Sequence, residues 1–278
     1  MKNRYTILVV LVAGILAVFI ARAVLADDFA ALQTFAVFDT LTVGGALLVI
    51  LRYQRDLRRS DWVLALVLGA VVGVEMLSAT LFSPYPFLGL VRSVAGQALL
   101  RGLFTALATL GGLAIMRQGG PVQFHIANGE WRTAGRGVLL GLVVGLPLAA
   151  LNVFALRLTQ GRPLAWQHPL AALLDALQPA VLEEVIYRFT LWGLLWLLLR
   201  RPLPRGSVWL AGVIALLVHN YAHFDDLFVH APLTALAMGA VLALFWGLPP
   251  LVLARRRGLE SAVAFHWLQD AARFVVGF

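Results

Sequence analysis

QPAVLEEVIYRFTLWGLLWLLL, residues 178–199, is apolar enough to cross a bilayer, yet it carries Glu183, Glu184 and Arg188. A span needs roughly 20 apolar residues. An ionisable side chain at membrane depth costs about 2.5–3.5 kcal/mol on translocon scales, so three on one segment need a reason to be there. Two further apolar stretches break the same rule. His219 and His223 lie in 208–228, and His266 and Asp270 lie in 259–278. Acids, imidazoles and a guanidinium gathered on three hydrophobic segments point to a reactive site inside a membrane bundle.

Composition sets the class around that stretch. With 61% hydrophobic and 13% charged residues, a soluble globular domain is excluded. Apolar runs at 6–20, 29–51, 62–82, 98–116, 138–155, 178–199, 208–228, 232–254 and 259–278 predict an all-α, polytopic transmembrane helical bundle of about eight to nine spans. Nothing between them is long enough for a separate soluble domain. The expectation is one integral membrane domain, 1–278, with N-terminal helices in 1–170 and the chemistry in 171–278. Val24-Leu25-Ala26 before Asp27 resembles a signal-peptidase site, so cleavage of the first segment is an alternative to its retention. A retained first helix is preferred. Residues 87–101 read as an interfacial stretch, 168–177 as a half-buried lead-in to the next helix, and Pro249-Pro250 as a kink or stop.

The net charge of +8 does not signal nucleic acid, because the basic residues are scattered over the loops without a dense basic face. Their partner is the lipid bilayer. Placing the N-terminus in the cytoplasm puts Arg52, Arg55, Arg58, Arg59, Arg117, Arg132 and Arg136 inside. The clusters Arg200-Arg201 with Arg205 and Arg255-Arg256-Arg257 join them, while Asp27-Asp28 and Asp225-Asp226 fall outside. On this reading Glu183 and His223 lie in the outer half of the bilayer and His266 nearer its middle, unless a tilted or shifted helix brings them together, and the side to which the cavity opens is left undecided. The absence of cysteine removes disulfides, thiol catalysis and cysteine-ligated metal. Lys2 is the only lysine, an arginine bias that points to a GC-rich bacterial genome and a bacterial inner (cytoplasmic) membrane.

Spacing separates the roles. Residues four apart share a helix face, so Glu184 pairs with Arg188 while Glu183, rotated by about 100°, is left to face a cavity. A carboxylate in a low-dielectric site suits a general base. His219 and His223 share one face, and so do His266 and Asp270. Asp270 can accept from a ring N–H of His266, fixing its tautomer and favouring its cation, which suits an oxyanion donor.

Glu-Glu-x-x-x-Arg, then a helix whose motif ends in His, then His-x-x-x-Asn/Asp, in that order, resembles the CAAX protease and bacteriocin-processing (CPBP, or Abi) intramembrane endopeptidases. The resemblance covers 178–278. It implies a CAAX-protease-like core in which Glu183 activates water with help from His223, His266 and the residue at 270 stabilise the oxyanion, and Glu184 and Arg188 hold the geometry. Two positions depart from the family pattern. His219 stands where the family has Phe, and Asp270 where it often has Asn, which donates an N–H that an ionised Asp lacks.

The resulting expectation is a glutamate-dependent peptide hydrolase that needs no cofactor and acts on a peptide or membrane-protein substrate. A zinc site built from His219, His223 and His266, with Glu183 and Asp270 as further ligands, is the alternative chemistry. Two other functions compete: a proton-coupled transporter using the same ionisable cluster, and a catalytically silent scaffold or immunity protein.

Overall fold

The computed structural model describes residues 3–24, 33–81 and 87–278, with the side chains of residues 3 and 4 left aside. Leu25 to Asp28, on which the cleavage-site and acidic-loop readings rest, lie outside the described residues. Apart from one isolated bridge between Phe87 and Val91, regular structure among the described residues is helical. Helices α1 (Asn3–Val24), α2 (Thr34–Tyr53), α3 (Arg59–Ser78), α4 (Val94–Arg117) and α5 (Trp131–Gln160) come first. A short α6 (Pro169–Asp175) leads into α7 (Leu177–Glu183), which runs through a π-helical turn, Glu184–Leu191, into α8 (Trp192–Leu199). Then follow α9 (Ser207–Ala222), α10 (Asp225–His230) and α11 (Pro232–Leu242). A second π-turn, Ala243–Gly247, joins α11 to α12 (Leu248–Arg257), and α13 (Leu259–Val275) closes the bundle.

Among the described residues, six helical stretches are long and apolar enough to cross a membrane: Tyr5–Val24, Thr34–Asp56, Arg59–Ser78, Val94–Arg117, Trp131–Gln160 and Pro232–Arg257. Their outward faces are as apolar as the core. Leu139, Val143, Leu146, Phe154 and Leu158 of α5 are all exposed. A backbone that satisfies itself by helical hydrogen bonds, with hydrocarbon on its outer side, is what lipid requires. The helices bearing the ionisable residues lie inside, and Glu184 through Thr190 are all buried.

Small residues set how closely the helices approach. Gly137 and Gly141 of α5 face the backbone of Arg257, at the end of α12, and of Ser261, at the start of α13, and a Cβ on Gly141 would collide with the Ser261 carbonyl. One turn on, the Gly145 carbonyl accepts from Gln269 Nε2 at 2.8 Å. Small-residue contact plus a side-chain hydrogen bond is the ordinary adhesive between helices in lipid. It fixes the rotation of α13 and aims His266 at α7.

Three expectations change. The span expected over 208–228 ends at Ala222, because the chain turns there to dock on α2. Asp225 accepts from the Thr34 backbone N–H (2.7 Å) and hydroxyl (2.5 Å), serving the N-terminus of α2, with Arg22 alongside at 3.6 Å. Burial raises the Asp225 carboxyl above its ordinary pKa, against the pull of Thr34 and Arg22. Pro249-Pro250 does not stop its helix, since the π-turn directly before it takes up the lost backbone bonds. In the stretch expected at the interface, Gln97 and Arg101 are instead buried within α4, which starts at Val94 capped by Ser93 Oγ. The lead-in at 168–177 is observed as α6.

Candidate active site

The depth mismatch expected between Glu183 and His266 does not arise, and the lead-in explains why. Ala165 and Gln167 donate to the carbonyls of Val276 and Val275, at the far end of α13. From there α6 and α7 descend alongside α13. His266 lies nine residues before Val275, roughly 13 Å at the helical rise. Glu183 therefore reaches the level of His266, well along α13 from the Val275–Val276 end.

The two carboxylates diverge at the start of the π-turn. Glu183 Oε2 lies 2.7 Å from His219 Nε2, 3.8 Å from His266 Nε2 and 4.0 Å from His223 Nε2. Glu184, fully buried, pairs through Oε1 with Arg188 (3.0 Å) and with His266 Nδ1 (2.9 Å). The i,i+4 ion pair expected from spacing is present even though the backbone there is π-helical. π-turns widen a helix by one residue and recur at functional sites.

The tautomers follow from the partners. Arg188 has only donors, and its Nη1 lies 2.6 Å from His219 Nδ1, so Nδ1 is the acceptor and the neutral ring carries its proton on Nε2. That Nε2–H donates to Glu183. His223 donates from Nδ1 to the His219 carbonyl at 3.0 Å, which leaves a lone pair on Nε2 facing Glu183. His266 donates from Nδ1 to Glu184, and its Nε2 faces both Asp270 Oδ2 (3.4 Å) and Glu183. Asp270 is held in turn by Arg273 Nε at 2.8 Å.

These groups line a cavity of about 280 Å³ between α5, α9, α11, the second π-turn and α13. Leu156, Phe224, Met238, Leu242, Trp246 and Phe265 supply its apolar wall, and Asn152, Asn220 and Gln269 its amides. Glu183, His219, His223, His266, Asp270 and Arg188, named from the sequence, all border it. Glu184 is packed behind Arg188 and His266.

His219, expected to support the site, contacts Glu183 directly through Nε2. The trio whose ligand atoms converge within 4.8 Å is Glu183, His219 and His223, so His266 does not join the histidine set expected for zinc. Nor does His219 fit a metal. Its Nε2 could coordinate only by losing its proton, and the tautomer with Nδ1–H would point that proton at the Arg188 guanidinium. His266 has both ring nitrogens against carboxylates.

Several site residues escaped the sequence reading. Arg273, three residues after Asp270, carried a usable signal in its spacing. Tyr187 stacks on His219, with ring centroids 4.6 Å apart, and donates its hydroxyl to Asp39 of α2 at 2.7 Å. Phe35 sets its edge against Tyr187, His219 and His223. No local spacing announces contacts made across so much chain.

Residues 165–272 match the family model described as type II CAAX prenyl endopeptidase Rce1-like. No curated protein and no solved structure matches the chain. The matched stretch holds Glu183 through Asp270 and excludes Arg273 and the flanking residues of α2 and α5.

Proposed function

We propose, from the premise that residues 165–272 form a domain of the CAAX-protease family, that this integral membrane protein is an endopeptidase in which Glu183 activates water. The observation that carries the reading is the convergence of three imidazoles on one carboxylate oxygen at the wall of a cavity. The 4.0 Å gap between Glu183 Oε2 and His223 Nε2 is too long for a direct bond and suits one water donating to both acceptors. Its remaining lone pair then faces the cavity.

Glu183 takes the water proton as the oxygen adds to the scissile carbonyl. His266, whose two ring nitrogens face carboxylates, donates Nε2–H to the developing oxyanion. Asp270 stays ionised against Arg273 and serves by keeping that donor protonated, so an aspartate fulfils the position without donating itself. Glu183 passes its proton to the departing amine, and the C–N bond breaks. His219, pinned by Arg188, orients Glu183. Glu184 and Arg188 hold the frame. The reaction runs without a metal, in keeping with the His219 tautomer, and the carboxylate cluster serves hydrolysis in preference to proton transport or a silent scaffold. The arginine bias supports a bacterial inner membrane.

The test is cleavage of a diverse peptide library by the detergent-purified protein, with Glu183→Gln beside it. Cleavage by the wild type and none by a folded variant is expected. Equal cleavage by both removes the base.

A further inference from the structure

We infer that Asn220 binds the main chain of the peptide substrate, its side-chain amide holding one peptide group of an extended, apolar segment beside Glu183. The inference rests on the endopeptidase reading and adds to it the conformation and chemistry of the substrate.

Asn220 follows His219 on α9 and is 4% exposed, yet its side chain lines the same cavity as Glu183, His223 and His266. Its amide makes no hydrogen bond among the described residues. Both amide atoms stay accessible from the cavity, so a group bound there can meet them. Gln269, another amide on this cavity wall, shows how a structural role looks. Gln269 donates to Gly145 and accepts from Trp246 Nε1 at 3.2 Å. Asn220 has the same chemistry and neither partner.

The space around it is kept open. Gly247, in the second π-turn, packs against the amide, and a Cβ there would lie 2.9 Å from Nδ2 and 3.0 Å from Oδ1. Glycine clears that space, and a methyl group would displace the amide from its slot. One donor and one acceptor on a rigid amide complement the C=O and N–H of a peptide group. A peptide in a helix has spent both on its own backbone, so only an extended segment can offer them. The neighbouring wall of Leu242, Trp246 and Phe265 accepts apolar side chains. A membrane segment unwound at its cleavage point, or an extended tail, meets these requirements.

The experiment is a backbone ester scan. In a peptide that the wild type cleaves, each amide N–H near the scissile bond is replaced in turn by an ester oxygen, and kcat/KM is measured for wild type, Asn220→Leu and Gly247→Ala. At one position the ester is expected to cost the wild type about tenfold, the scale of one lost neutral hydrogen bond. Asn220→Leu loses about the same on the all-amide peptide and becomes indifferent to that ester. Gly247→Ala, which keeps the asparagine, behaves likewise and carries the test if Asn220→Leu fails to fold. Equal ester penalties in wild type and variants, with cleavage intact, overturn the role of Asn220 alone. A wild type that cleaves no peptide overturns the endopeptidase reading on which it stands.

Discussion

Glu183 and Glu184 are neighbours with the same side chain, and they open onto two different regions of the molecule. Glu183 faces the cavity, where three imidazole nitrogens surround one of its oxygens. Glu184 faces the packed interior, where Arg188 and His266 share the other carboxylate. Burial separates them, with side-chain exposures of 21% and 0%. On the proposed reading the adjacent acids divide labour: one is fixed by a full cation and holds structure, the other stays within reach of water and is placed for chemistry.

Breaking that division is the way to test it, and the largest effect belongs to the cavity side. Glu183→Gln is expected to lower the cleavage rate by about a thousandfold or more, as loss of a general base does, while the thermal midpoint in detergent stays near that of wild type. Glu184→Gln should do the reverse in kind. It leaves Arg188 with an uncompensated charge, a loss of about 3–5 kcal/mol for a broken buried pair, read as a lowered thermal midpoint and poor yield. Variants with the same profile would erase the distinction.

Smaller effects sharpen the picture. His219→Phe, which installs the residue that the family pattern has there, removes the donor that orients Glu183. It should lower kcat by about tenfold and leave KM largely unchanged, in steady-state assays on one cleaved peptide. Unchanged kcat would return His219 to a packing role. Asp270→Asn should shift cleavage by only about a few fold, because an amide oxygen still accepts from Arg273 while its N–H faces the oxyanion directly. A loss of a hundredfold or more would show that His266 depends on a full negative charge at 270.

Much of this was legible in the sequence. Apolar runs announced the helices, since length and hydropathy suffice for a span. Spacing announced the Glu184–Arg188 pair and the facing of His266 and Asp270. What stayed hidden has a common cause. In water, one polar face tells which side of a helix packs inward. Here α5 is as apolar towards lipid as towards α13, so hydropathy carries no phase, and the contacts of Gly141 with Ser261 could not be read from it. The π-turn at Glu184–Leu191 leaves no periodic mark, because one widened turn is lost in an apolar run. The bond from Tyr187 to Asp39 joins residues 148 positions apart. The early end of α9 depends on where Asp225 finds Thr34, a tertiary event.

Whether the base acts without a metal is decided by cleavage of one identified peptide by purified wild type after exhaustive treatment with a strong chelator, beside untreated Glu183→Gln. A metal-free base predicts full activity in the treated wild type and none in the variant. Activity abolished by the chelator and restored by zinc would overturn the metal-free base and place His219 and His223 on a metal.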